Sequence, residues 1–136
     1  MTTFSELGLS DSIVSSLTEL GFEEPTPIQN EAIPALLTGA DVLGRAATGT
    51  GKTAAFSLPL LERHVLGQEA DAPLVLVLTP TRELCLQVSE AFHNYGRKAG
   101  VLVTPIYGGQ GYSPQNPAPR PGPHGPRPPP PPPPPR

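Results

Sequence analysis

The chain has no tryptophan, one cysteine, one methionine, four phenylalanines and three tyrosines in 136 residues. A lone thiol, Cys85, can form neither an internal disulfide nor a cysteine-based metal site, so disulfide scaffolds and zinc modules are excluded. Long apolar runs are also missing. The longest, Leu74 to Leu78, is five residues, against roughly 18 for a bilayer-crossing helix. The opening Met1-Thr2-Thr3-Phe4-Ser5-Glu6 lacks the basic start and apolar core of a secretory leader. The expectation is a soluble, cytoplasmic chain without membrane contact. Basic residues are scarce as well, nine against twelve acidic, for a net charge of −3. Generic polyanion binding through overall charge is therefore disfavoured, and any nucleic-acid contact has to come from particular loops.

Proline is what the chain has in excess, and it is unevenly spread. Fourteen of the 21 prolines fall between Ser113 and Arg136, whereas residues 1–112 hold all twelve acidic and six of the nine basic residues. This divides the chain into a body of one small domain (1–112) and a proline-rich tail (113–136). In the body, Ser10 can cap a helix carrying Ile13, Val14, Leu17 and Leu20 and ending at Gly21. Thr26-Pro27 opens a second helix that stops before Gly39, with Pro34 inside it. A third helix is expected from Lys52 to about Leu66, bent at Pro59, and a fourth from near Thr81 to about Ala99 with Leu84, Val88, Ala91 and Phe92 as its buried stripe. Asp41 to Gly44, Leu74 to Leu78 and Val101 to Tyr107 read as strands, the second covered on both faces. Strand and helix alternate, so the expected class is α/β, a parallel sheet preceded by two helices.

Between the first strand and the third helix lies Ala46-Ala47-Thr48-Gly49-Thr50-Gly51-Lys52-Thr53, the phosphate-loop pattern with Ala46 at the usual first glycine. Backbone amides around Gly49 and Gly51 can wrap a phosphate, and the following helix adds its positive N-terminus. Lys52 is placed to reach the β- and γ-phosphates and the Thr53 hydroxyl to bind Mg2+. A plain glycine-rich turn before a helix is the competing explanation.

Three further segments stand in order around this loop. Gly21-Phe22-Glu23-Glu24-Pro25-Thr26-Pro27-Ile28-Gln29 resembles the Q motif of the DEAD-box ATP-dependent RNA helicases, with Phe4 at the place of that family's upstream aromatic. Ala46 to Thr53 resembles motif I, Pro80-Thr81-Arg82-Glu83-Leu84 motif Ia, and Tyr107-Gly108-Gly109 the glycine doublet after the third strand. The resemblance covers about residues 2 to 112, with the Q-motif region about 2 to 30. It implies the N-terminal part of a RecA-like ATP-binding domain. It further implies that Phe4, Phe22 and Gln29 sense adenine, that Thr48, Gly49, Thr50, Gly51, Lys52 and Thr53 hold ATP with Mg2+, and that Thr81, Arg82, Gly108 and Gly109 touch RNA backbone without reading sequence. Each has a plainer alternative from the residues themselves: Thr26 and Gln29 fit a helix capping box, Arg82 and Glu83 a solvated charge pair, and Gly108-Gly109 a turn.

Within the chain there is no Asp-Glu-Ala-Asp, no Ser-Ala-Thr and no Thr-Pro-Gly-Arg. Without the acidic pair, nothing in the chain orients an attacking water, so the expectation for these 136 residues is negligible ATP hydrolysis and no duplex unwinding. The implied function is that of an ATP-dependent RNA helicase cut short before motif II. The competing reading is a non-catalytic interaction protein that uses the folded body and the tail. Pro128 to Pro135 can form a polyproline II rod of about 25 Å, suited to a partner's aromatic-lined groove. The tail equally fits an out-of-frame translation of GC-rich DNA.

Overall fold

The computed structural model describes residues 2–69 and 71–108. The tail reading at 113–136 and Gly109 lie outside them. Four helices organise the body: α1 Asp11–Glu19, α2 Pro27–Leu37, α3 Lys52–Leu60 and α4 Arg82–Gly96. The apolar spacing read from the sequence explains their packing. Ile13 and Leu17 of α1, Ile33 of α2, Leu58 of α3 and Val88 and Phe92 of α4 meet in one buried cluster, joined by Phe4, Leu7 and Leu9 from the N-terminal loop. Within α3, the small residues Ala54, Ala55 and Ser57 are buried, which lets α2 lie closely against it.

Polar ties fix the helix ends. Ser10 occupies the cap position of α1, but its hydroxyl donates to Glu62 Oε2 at 2.8 Å and its N–H to the same oxygen at 3.0 Å. The carboxylate ties the start of α1 to the turn after α3, and the Ser10 hydroxyl makes no capping bond to the helix, contrary to the expectation for it. Arg63 donates to the Leu37 carbonyl at 3.1 Å, closing the C-terminus of α2. Lys98, just beyond α4, donates to Ser15 Oγ at 2.6 Å and Glu19 Oε1 at 2.7 Å, holding α1 against α4. That hydrogen bond, then the Lys98 charge, holds the Glu19 carboxyl below its ordinary range.

Pro59 lies inside α3, which runs on to Leu60. After α3 the chain widens into a π-helical turn, Leu61–Val65, closed by Leu66 N–H to the Leu61 carbonyl at 2.9 Å. Proline has no N–H to donate and crowds the turn before it; the widened turn begins two residues after it. The fourth helix ends as an α-helix at Gly96 and tightens into a 3₁₀ turn over Arg97–Ala99.

The strands are the main correction. Among the described residues no hydrogen-bonded strand is formed at 41–44, 74–78 or 101–107. The second and third segments nevertheless alternate with period two, whereas 41–44 is exposed throughout: Val75 and Val77 are half-buried while Leu74, Leu76 and Leu78 are exposed, and Val101 and Val103 are half-buried while Leu102 and Ile106 are exposed. Val77, Val101 and Val103 pack on the helical core. An all-apolar run specifies burial, but a ladder needs a partner aligned at about 4.8 Å, which the run does not encode. The expectation that Leu74 to Leu78 is covered on both faces is likewise corrected. One face packs on helices, and the other leaves Leu76 81%, Leu78 85%, Leu102 76% and Ile106 75% exposed. Large apolar side chains left this exposed favour association. Leu76→Lys with Leu78→Lys should therefore reduce concentration-dependent self-association of the 136-residue chain in sedimentation velocity while leaving its helical circular dichroism intact; unchanged association would show that this face is not responsible.

Candidate nucleotide and RNA site

The loop from Ala46 to Gly51 delivers Lys52 and Thr53 at the start of α3. Gly49 and Gly51 sit at φ of 82° and 84°, the left-handed region that side chains with a Cβ disfavour. Two left-handed residues this close together let the chain turn sharply into the start of α3. The loop is held by its own side chains: Thr50 donates to the Ala47 carbonyl at 2.6 Å, and Lys52 Nζ to the Ala46 carbonyl at 2.7 Å. The Lys52 ammonium thus lies back across the loop it is expected to serve, and it is exposed.

Gln29 joins this loop to the second helix. It is 1% exposed. Thr26 and Gln29 stand in capping-box positions, and the bond that is made is the Gln29 half, in which the Thr26 N–H donates to Gln29 Oε1 at 3.0 Å while Thr26 Oγ1 makes no hydrogen bond. At its other end Nε2 donates to the Gly51 carbonyl at 3.1 Å. The capping role and a link to the phosphate loop are therefore simultaneous. A primary amide has two N–H donors and two oxygen lone pairs, so each end keeps one hydrogen-bonding capacity beyond these bonds. Gly51 is also sterically required: a Cβ there would overlap Gln29 Nε2 and lie 3.1 Å from Thr26 Oγ1.

Phe22 is half-buried between two other rings. Phe4 packs edge-on to it with centroids 6.1 Å apart, and Tyr95 of α4 does the same at 5.8 Å. Phe4 is 4% exposed; its ring touches Phe22 and the core. Phe22 lines two shallow clefts. One, of about 460 Å³, is bounded by Leu20, Gly21, Glu23 and Glu24, and the other, of about 300 Å³, includes Glu90 and Tyr95.

At the other candidate region, the Thr81 hydroxyl caps α4 by accepting from the Leu84 N–H at 3.1 Å. Arg82 is exposed, lies 3.9 Å from Glu83 Oε1 and sits 5.9 Å over the ring of Tyr107. The structure therefore brings Thr81 and Arg82 beside the segment that ends in Tyr107 and Gly108. Tyr107 had no assigned role in the sequence; its place directly before the glycine doublet was the available signal.

The DEAD/DEAH box helicase profile matches residues 26–119, more than half of the chain. The chain belongs to the DEAD/DEAH box helicase family. It is 55% identical over 123 residues to the ATP-dependent RNA helicase DeaD of Escherichia coli K12, covering 90% of this chain and 19% of that protein. The DEAD-box ATP-dependent RNA helicase CshA of Bacillus cereus is 50% identical over 124 residues, 91% of this chain and 23% of its own. The chain thus spans about a fifth of the length of these relatives. Among solved structures, the helicase Prp28 of Chaetomium thermophilum bound to ADP is similar at TM-score 0.77 and 38% identity, over 87% of this chain and 30% of that one. S. cerevisiae Dbp5 bound to RNA and ADP BeF3 is similar at TM-score 0.65 and 36% identity, over 72% and 25%. The chain accordingly shares the fold of RecA-like helicase domains over the part that carries residues 46–53.

Proposed function

We propose that this DEAD-box chain is the nucleotide-gripping portion of an ATP-dependent RNA helicase. The observation that carries the reading is the Gln29 bridge to Gly51, because it makes the Q-motif glutamine and the phosphate loop one structural unit. The left-handed glycines at 49 and 51 lead directly into the N-terminus of α3, a start that suits an anionic ligand, and Lys52 needs only to release the Ala46 carbonyl to offer it an ammonium. No cluster of three or more acidic, histidine or cysteine side chains able to hold a metal exists among the described residues. Magnesium would therefore arrive on the nucleotide, with Thr53 as its protein contact, and would neutralise phosphate charge. The remaining capacity of the Gln29 amide matches the donor–acceptor edge of adenine, with Phe22 as the apolar surface for the base. Thr81, Arg82, Gly108 and Gly109 are the proposed RNA-backbone contacts. The Thr81 O–H is still able to donate while it caps α4, and Arg82 over Tyr107 presents a cation beside a helix start. Local strand separation belongs to a longer chain that also holds the motif II carboxylates.

Competition for labelled ADP tests this. ATP should displace the label at least about tenfold better than GTP, equivalent to roughly 1.4 kcal/mol, and Gln29→Ala should shrink that preference to about twofold. Equal competition by the two nucleotides in the unaltered protein would sink the assignment of Gln29. Phosphate release by the homogeneous 136-residue chain should stay at background with RNA present; RNA-stimulated release would overturn the expectation of no turnover.

A further inference from the structure

The aromatic arrangement around Phe22 carries a role for a residue outside every motif. Tyr95 lies near the end of α4, thirteen residues beyond Arg82, and is 8% exposed. Its ring meets Phe22 at 5.8 Å with the planes 85° apart, while Phe4 meets the same ring at 6.1 Å and 72°. Phe22 itself sits in the short connection between α1 and α2, where no helix fixes its side chain. Two edge-on neighbours from separate parts of the chain therefore set its orientation. Of these, only Tyr95 comes from a helix, and α4 is anchored to α1 by Lys98 through Ser15 and Glu19. Burial raises the Tyr95 phenol above its ordinary range, so the ring stays neutral through the working pH range.

We propose that Tyr95 is a positioning residue for base recognition: packed edge-on against Phe22, it holds that ring at the angle presented to adenine. This rests on the nucleotide reading above and assigns the base selectivity of that site in part to α4. A ring fixed before the ligand arrives loses less freedom on binding, and that benefit reaches the base alone. The phosphates contact the loop at residues 48–53 and gain nothing from it.

The test compares ADP with tripolyphosphate, which has no base, on the full 136-residue chain by isothermal titration. Tyr95→Leu should weaken ADP about tenfold and change tripolyphosphate by less than about twofold, whereas Tyr95→Phe, which keeps the ring, should bind both like the unaltered protein. A folded Tyr95→Leu with unchanged ADP affinity overturns the proposal, as does a parallel loss of both ligands. Should Tyr95→Leu fail to fold, ring-labelled tyrosine in the unaltered protein decides it, with Tyr95→Phe giving the assignment. ADP must move the Tyr95 resonances and tripolyphosphate must leave them in place, and resonances indifferent to ADP overturn the role. Equal affinity of the unaltered chain for ADP and tripolyphosphate would instead defeat the base-recognition reading itself, and the proposal with it.

Discussion

Gly51→Ala should uncouple the phosphate loop from Gln29 and lower ADP affinity by roughly a hundredfold, about 2.7 kcal/mol. Two effects act together. At φ of 84° an added Cβ is disfavoured by about 1–2 kcal/mol, and it would overlap the Gln29 amide nitrogen that donates to this residue's own carbonyl. Gln29 cannot simply swing away, because it is buried and its oxygen is held by the Thr26 N–H. Displacing it strips the first turn of α2 as well as the loop. Gly67→Ala is the matched control. Gly67 has φ of 72° and nothing within 4 Å of an added Cβ, so it should lose only the backbone cost of about 1–2 kcal/mol and retain nucleotide binding. Titration of both variants with ADP, beside urea denaturation, separates the two contributions. Equal ADP affinity of Gly51→Ala and the unaltered chain would show that the bridge is dispensable.

Leu58→Ala should come close to unfolding the body. Leu58 is fully buried in α3, in the cluster that includes Ile13, Ile33 and Leu61. Removing a leucine side chain from such a site costs about 2–5 kcal/mol, the upper end when the surroundings cannot collapse into the void. A small domain has only about 5–15 kcal/mol in total, and here an apolar face that could add to it stays in solvent. Leu20→Ala, at a site already 45% exposed, should stay within roughly 1 kcal/mol. The measurement is the urea midpoint followed by circular dichroism; similar midpoints for the two variants would mean that the cluster around Leu58 does not carry the fold.

The helices were legible because their signals are local. Thr26-Pro27 with Gln29 three residues later marks a helix start whatever surrounds it, and α2 begins there with Gln29 accepting from the Thr26 N–H. The Val88 and Phe92 stripe followed from helical spacing and is buried. The glycine turn before α3 was equally readable, since Gly49 and Gly51 both adopt positive φ there. Tyr95 was not: one aromatic near a helix end reads as surface or partly buried, and its burial depends on Phe22, 73 positions earlier. The Glu62 carboxylate on Ser10, 52 residues apart, was invisible for the same reason.

Sequence alone determined where helices start and stop, where the chain must turn through glycine, and which family motifs occur in order. These depend on short-range sterics and hydrogen bonding within a few residues. Only the tertiary structure decided what those elements meet. It seated Gln29 on the loop, set Phe22 between Phe4 and Tyr95, brought Arg82 over Tyr107, and left Leu76 and Leu78 open to solvent where the apolar run had implied cover. The physical reason is that an apolar or polar side chain specifies the kind of surroundings it needs, while the partner that supplies them is chosen by how distant segments pack.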